Sequence, residues 1–337
     1  MNQIFTHPDQ PEMQVEVILA SRHADIPDEK PLYTIRMRYP RPIHGEIMTH
    51  RTFSRNARSS RAVPVKTMLN EVRTIPYVPW HWGANQRGMQ ADEECNENIL
   101  ISLYPRDDKP EYEKFTREET WLHASDAACE AAKAFMDAGY HKQIVNRLLE
   151  PFSWIDTLIT ANEWDNFLWL RDHADAEPHL RDLARLVKQA IDAAEVYELA
   201  PGEWHLPYTD INDVEVGTRI FSYNMDLLSK WLCKISAARC ARISYKPFDG
   251  DPSYDRELER YASLVSSDRV HASPLEHQAT PDTMITASID LFEDDNESLT
   301  PDETLDAQRV YRQKQLHGNL KGWIQARKLI PNEVYRG

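Results

Sequence analysis

Residues 50–61 read His-Arg-Thr-Phe-Ser-Arg-Asn-Ala-Arg-Ser-Ser-Arg, a run that mixes hydroxyl donors with fixed positive charge. Ser54, Ser59 and Ser60 can donate, Arg51, Arg58 and Arg61 carry guanidinium groups, and Asn56 can bond either way. The run belongs to a larger concentration in which Arg36, Arg38, Arg41, Arg51, Arg55, Arg58 and Arg61 face a single acid, Glu46. In a chain of formal net charge −15, that concentration points to a small anion such as a nucleotide phosphate, gripped by guanidinium forks. The same residues also suit a surface loop whose serines and asparagine cap turns and whose arginines pair with surplus carboxylates. Composition leaves both open.

Structural roles also cover Arg147, Arg171, His271 and His277 when each is taken singly. Arg147 could cap a helix, Arg171 could pair with Asp172 or Asp175, and the histidines could sit at strand ends satisfied by carbonyls. Cys95, Cys129, Cys233 and Cys240 form no CxxC pair and have no histidine at zinc-ligand spacing, so neither a metal site nor a disulfide framework is expected. They read as buried or incidental thiols. No GxGxxG follows a strand-like run, which argues against a Rossmann-type dinucleotide site.

The elements that must hold these residues can be read from periodicity. Residues 14–19 and 33–39 are apolar or alternating and rich in β-branched side chains, which predicts two strands, the second ended by Pro40 and Pro42. Residues 43–52 then predict a short helix leading into the Arg/Ser loop. From 75 to about 110 there is no sustained period, so an irregular excursion is expected. Helices are expected over 118–138, 143–149, 162–171 and 179–196, the last with Leu180, Leu183, Leu186, Val187, Ala190 and Ile191 on one face. Further helices are expected over 226–244 and 253–265, followed by an acidic loop over 290–303.

With 337 residues, 41% hydrophobic and 28% charged, the chain is long enough for a sizeable core. The expected division is 1–200, with the strand pair, the Arg/Ser motif and the helices, and 201–337, which completes one integrated unit. The acidic balance argues against coating nucleic acid. No apolar run is long enough for a membrane helix and no secretory signal is recognisable, so a cytoplasmic setting is expected.

Residues 50–61 are similar to the nucleotide- and flavin-binding motif of flavin-dependent thymidylate synthases, Arg-His-Arg-x-x-Ser-x-Asn-Glu-x-Ser-x-Arg. His50, Arg51, Ser54, Asn56, Ser59 and Arg61 fall in register with it. Residues 145–151, Val-Asn-Arg-Leu-Leu-Glu-Pro, and 160–171 resemble the later helical pair of that family. Residues 241–245, Ala-Arg-Ile-Ser-Tyr, and 271–277, His-Ala-Ser-Pro-Leu-Glu-His, resemble two signatures that normally precede the Arg/Ser motif. Here they follow it, as in a circular permutation. The matched stretches cover about half the chain.

The resemblance implies an α+β fold with a central antiparallel or mixed sheet and a large helical part. It implies methylation of dUMP to dTMP, with FAD as cofactor and methylenetetrahydrofolate and NADPH as co-substrates, in a homotetramer with sites built across subunits. In that register Arg171 polarises the pyrimidine, and Glu46, Ser54, Arg58, Ser59, Ser60, Arg61 and Arg147 bind the nucleotide. His50, Arg51, Thr52, Asn162, Asn166, Ser244, His271, Ser273, Glu276 and His277 hold the flavin. The chain departs from the family at Thr49 (Arg), Glu46 (Gln), Ala57 (Glu) and Ser60 (Gly). These departures motivate two alternatives, a pyrimidine nucleotide hydroxymethylase or dCMP-directed relative, and a non-catalytic nucleotide-binding homologue.

Overall fold

The computed structural model describes residues 2–102, 111–243, 250–266, 270–287 and 308–334. Two compact units emerge from its contacts, one of Met1–Ile18, Thr34–Ile159 and Glu163–Ala194, the other of Leu19–Tyr33, Thr160–Asn162 and Glu195–Gly337. Besides its C-terminal part, the second unit takes in two earlier pieces of chain. The fold is α+β, with a mixed sheet and many helices.

The strands that lie wholly or partly in the first unit are β1 (Ile4–Thr6), β2 (Gln14–His23), β3 (Leu32–Pro40), β4 (Ser54–Ala57), β5 (Ile99–Ser102), β6 (Tyr112–Phe115) and β7 (Trp154–Ala161). Five of them line up as β1-β2-β3-β7-β4, and β1 pairs antiparallel with β2. In β3, Ile35, Met37 and Tyr39 are buried while Arg36 and Arg38 between them are half-buried, the alternation expected of a pleated strand with one apolar face. The sequence reading missed β7. Its run Trp-Ile-Asp-Thr-Leu-Ile-Thr-Ala is buried almost throughout, and a strand covered on both faces lacks the alternation that separates it from a helix.

The helices of this unit are α1 (His44–Ile47), α2 (Val65–Thr74), α3 (Arg117–Asp137), α4 (Lys142–Val145), α5 (Asp165–Arg171) and α6 (Pro178–Asp192). A capping box fixes the start of α3, where the Thr116 hydroxyl accepts from the Glu119 amide and the Glu119 carboxylate accepts from the Thr116 amide. Met68, Leu69 and Val72 of α2 pack with Cys129 and Ala132 of α3, Val145, Leu149 and Phe152. This apolar floor supports the Arg/Ser segment that joins β4 to α2. The expected helix over 43–52 is only a 3-10 turn followed by the single turn α1, because Pro42 and Gly45 give it little propensity. The excursion over 75–110 contains β5, which pairs antiparallel with β6.

In the second unit β8 (Tyr197–Leu199) runs parallel to residues 21–23 of β2. Three helices follow, α7 (Ile211–Ile220), α8 (Met225–Arg242) and α9 (Tyr254–Val265), then β9 (Ala279–Pro281), β10 (Met284–Ala287), β11 (Gln308–Tyr311) and β12 (Trp323–Gln325). β9 pairs with β12 and β10 with β11, both antiparallel. Leu228, Trp231, Leu232 and Ile235 of α8 form the core that receives α7 and α9. Gly217 lets α7 come close, since a Cβ there would collide with Leu228 and press on Trp231. No helix among the described residues is long and apolar enough to cross a membrane.

Candidate functional site

The seven arginines of residues 36–61 divide by what holds them. Arg36 pairs with Glu16 at 3.6 Å, and Arg38 reaches Asp156 at 3.0 Å and Glu12 at 3.3 Å, so both serve the sheet face. Arg58 forms a fork with Glu71 of α2, at 2.8 and 3.0 Å, and its amide bonds the Asp156 carbonyl in β7. Arg55 donates to the carbonyls of Met48 and His50, at 2.7 and 3.2 Å, closing the turn before β4. Arg41 pairs with Glu150 at 3.1 Å. Arg51 and Arg61 are exposed, and their guanidinium groups make no hydrogen bond or ion pair among the described residues. The paired-loop reading therefore describes most of these arginines, and only Arg51 and Arg61 stand without a partner among the described residues, while Arg41 is held by Glu150.

His50 and Arg171, widely separated in sequence, meet. The turn after α1 buries His50, at 8% exposure, where its ring stacks on Phe53 at 5.5 Å and meets the edge of Phe167 at 5.0 Å. Phe167 belongs to α5, and one turn further along that helix Arg171 donates from Nε to His50 Nε2 at 3.0 Å. A nitrogen that accepts carries no proton, so the imidazole is neutral with its hydrogen on Nδ1. Burial, then the charges of Arg171 and Arg55, push its pKa down to about 4. Arg171 also donates to the Thr49 hydroxyl at 3.1 Å, and that hydroxyl in turn donates to the Glu46 carbonyl at 2.6 Å.

Both partners of the Arg171 guanidinium are thus neutral. Asp172 is taken by Arg185 at 2.9 Å and Asp175 lies beside His173 at 3.5 Å. Arg171 forms no ion pair among the described residues. Its charge is oriented and left without a counter-ion, an arrangement suited to negative charge on a bound molecule.

A second cluster gathers on Glu150, which no reading of the sequence picked out. Its carboxylate accepts from Ser60 at 2.5 Å and from Arg147 at 3.1 Å to each oxygen, besides the Arg41 pair. Asn146, 1% exposed, donates to the carbonyls of Ser60 and Val63 at 2.7 and 3.0 Å, which holds the Arg/Ser segment to α4. One signal for Glu150 was legible: Arg147 and Glu150 stand three apart in a helical stretch, the spacing of an ion pair. Burial lowers the pKa of Arg41, the nearby Glu150 opposing the effect. The other expected nucleotide residues are scattered in accessibility. Ser54 is buried, Ser59 is exposed with its hydroxyl accepting from the Arg61 amide at 3.3 Å, and Glu46 is half-buried on α1. Thr52 and Asn166 are exposed.

In the second unit, His271 and Ser273 are exposed at the start of the 3-10 turn Ser273–Glu276. Glu276 is engaged by Arg327, which also reaches Glu333 at 2.8 Å. His277 is fully buried, its Nδ1 sharing a hydrogen bond of 2.9 Å with the Thr160 hydroxyl, and burial pushes its pKa down to about 3. Its Nε2 has no hydrogen-bond partner among the described residues. Asn162 donates to the Lys321 carbonyl at 2.7 Å. Ser244 lies outside the described residues; just before it Ile243 ends α8 with φ of 56°, a left-handed conformation that costs a β-branched residue energy.

No protein-family model matches the chain, and no curated protein matches it. Among solved structures it is similar to a UMP/dUMP methylase, PolB, from Streptomyces cacaoi bound with 5-Br UMP, at 18% identity and a TM-score of 0.39 over 53% of this chain and 88% of that one. It is also similar to the flavin-dependent thymidylate synthase ThyX from Helicobacter pylori complexed with FAD and dUMP, at 15% identity and a TM-score of 0.33 over 49% of this chain and 70% of that one.

Proposed function

We propose that the protein is a flavin-dependent pyrimidine nucleotide methylase that converts dUMP to dTMP, taking carbon from methylenetetrahydrofolate and reducing FAD with NADPH. The observation that carries this reading is Arg171, fixed by His50 and Thr49 and free of any acidic partner among the described residues. A pyrimidine attacked or deprotonated in the ring gathers negative charge on its carbonyl oxygens. A guanidinium already oriented stabilises that charge without reorganising during the reaction. The neutral state of His50 matters here, because an imidazolium would repel Arg171 out of place.

The nucleotide phosphate is assigned to Arg41, Ser60, Arg61 and Arg147, with Ser54, Arg58 and Ser59 shaping the segment that carries them. Fixing the phosphate positions the base, and positioning of this kind is worth up to about 7 kcal/mol of barrier. FAD is assigned to His50, Arg51, Thr52 and Asn166 of the first unit; Asn162, Ser244, His271, Ser273, Glu276 and His277 rest on the family resemblance alone. The donors of the first unit fit such a group: Arg51 has no ion pair among the described residues, and Thr52 and Asn166 are exposed. The flavin, when bound, supplies the hydride chemistry. Burial raises the thiol pKa of Cys129, Cys233 and Cys240, so none of the three is primed as a nucleophile.

A second reading has one observation in its favour. The Glu46 carboxylate makes no hydrogen bond or ion pair among the described residues, and it belongs to the same turn as Thr49. It could accept from the exocyclic amine of a cytosine nucleotide, a group uracil lacks. The test for both is direct. Purified protein titrated with FAD should turn yellow and bleach with NADPH, and gel filtration should give a tetramer. A protein that takes up no flavin refutes the proposal, and a modified dCMP with no modified dUMP decides for the second reading.

A further inference from the structure

Close to both clusters of the first unit stands His44, which opens α1 and which no reading of the sequence picked out. Its amide bonds the Arg41 carbonyl of the preceding 3-10 turn. Side chains three apart in such a turn eclipse, so His44 projects from the same face as Arg41, the face that meets Glu150. His44 Nδ1 lies 2.9 Å from the hydroxyl of Tyr39, near the end of β3, and the two rings stack with centroids 6.1 Å apart.

The Tyr39 hydroxyl fixes which nitrogen of His44 carries the hydrogen. Tyr39 is fully buried. Burial raises its pKa and the nearby Thr157 hydroxyl opposes the rise, but Thr157 Oγ1 forms no hydrogen bond among the described residues. The phenol hydrogen therefore goes to His44 Nδ1, since otherwise a buried O–H would have no acceptor. The imidazole keeps its own hydrogen on Nε2. Nothing among the described residues accepts from that N–H. It is not sealed in, because His44 is half-buried and its Nε2 reaches solvent.

The charges around the ring define what would accept from it. Burial lowers the His44 pKa to about 4, and the guanidinium groups of Arg41 and Arg55 push it the same way, with no carboxylate acting in opposition. Arg55 spends its hydrogens on the Met48 and His50 carbonyls, so no acid cancels its charge. Arg171 bears on His50 but not on His44, which places His44 on the Arg41 side rather than beside the group assigned to the base. An N–H donor between two guanidinium groups matches an acceptor of full negative charge better than a neutral carbonyl.

We infer that His44 is a ligand for a phosphate-type dianion, donating from Nε2 beside Arg41; on the function proposed above, on which this identification rests, the dianion is the nucleotide phosphate. The neutral imidazole adds a hydrogen bond without adding charge to a cluster that already holds Arg41 and Arg147. With Nδ1 held by Tyr39, the ring is oriented before the anion arrives, so little side-chain freedom is lost on binding.

Inorganic sulfate and dUMP, each titrated calorimetrically into the full chain, give the test. His44→Phe should weaken both about tenfold or more. His44→Gln, whose amide nitrogen can stand in for Nε2, should bind both within about threefold of the original protein. A second measurement needs no folded Phe variant. In a nitrogen NMR spectrum of the imidazoles, with His44 assigned by its loss in His44→Gln, the hydrogen should sit on Nε2 and the Nε2 signal should shift as sulfate saturates. No saturable binding of either anion, unchanged affinities in a folded His44→Phe protein, or an Nε2 signal that bound sulfate leaves unmoved overturns the inference. dUMP binding that His44→Phe leaves unchanged does so while the proposed function stands. Sulfate binding that His44→Phe weakens, in a protein that takes up no dUMP, upholds the dianion ligand and refutes the nucleotide.

Discussion

Glu150→Gln should tighten dUMP binding while weakening the fold. In the structure the Glu150 carboxylate holds Arg41, Arg147 and Ser60, the groups assigned to the nucleotide phosphate. A phosphate must therefore compete with it, and the two anions repel. At about 5 Å and an effective dielectric of about 20, two unit charges interact by roughly 3 kcal/mol. Salt and the partial exposure of Arg147, at 56%, reduce that figure, so about 1.4 kcal/mol, a tenfold lower Kd, is a cautious expectation. The glutamine keeps one acceptor oxygen for Ser60 or Arg41. The stability cost should be about 1–2 kcal/mol, mostly from the half-buried charge-assisted bonds, since the exposed Arg147 pair contributes about 0.3–0.5 kcal/mol. Calorimetric titration with dUMP, beside urea unfolding of both proteins, measures the two effects. Unchanged or weaker dUMP binding in a folded Glu150→Gln protein would refute the assignment of this cluster to the phosphate.

Arg171→Met should lower kcat by about 10²–10³ while changing the dUMP Kd by less than about threefold, because the contact is assigned to the transition state. Burial is the main depressor of the His50 pKa, now about 4, and Arg171 adds to it, so the variant should show a partial rise in an NMR titration; no movement would mean the contact is absent in solution. Acid should destabilise the fold: His44 and His50 are held down to about 4 and His205 and His277 to about 3. Their folded pKa values lie below the unfolded value, so stability is full above about pH 6.5 and falls as pH drops toward 4. Urea midpoints measured from pH 7 to 4 should decline, and a flat profile would contradict the burial of these rings. Asp213, 1% exposed, takes a fork from Arg239 at 2.6 and 2.9 Å and accepts from the amide of Asp210, the N-cap of α7. Asp213→Ala should cost about 3–5 kcal/mol in urea unfolding, since it strands a half-buried guanidinium.

The two strands over 14–19 and 33–39 and the long helices were legible because their apolar residues keep a steady period. β7 was not, since its burial on both faces erased the period, and β4 was hidden inside a run read as loop because Ser54, Arg55 and Asn56 have little strand propensity. The contacts of the candidate site were legible in part. Family register singled out His50 and Arg171 from two distant stretches, and they are in hydrogen-bond contact. What it could not reveal was which arginines are spent on carboxylates, because Glu16, Glu71 and Asp156 reach Arg36, Arg58 and Arg38 only through sheet and helix packing. Glu150 escaped for the complementary reason: Arg41 and Ser60, about a hundred residues earlier in the chain, reach its carboxylate only through the fold.

The central claim is tested most directly by the mass of the product. Protein incubated with FAD, NADPH, methylenetetrahydrofolate and dUMP should yield dTMP, heavier than dUMP by one methylene, and Arg171→Met should yield almost none. Unaltered dUMP in the presence of a fully reconstituted flavoprotein would contradict it.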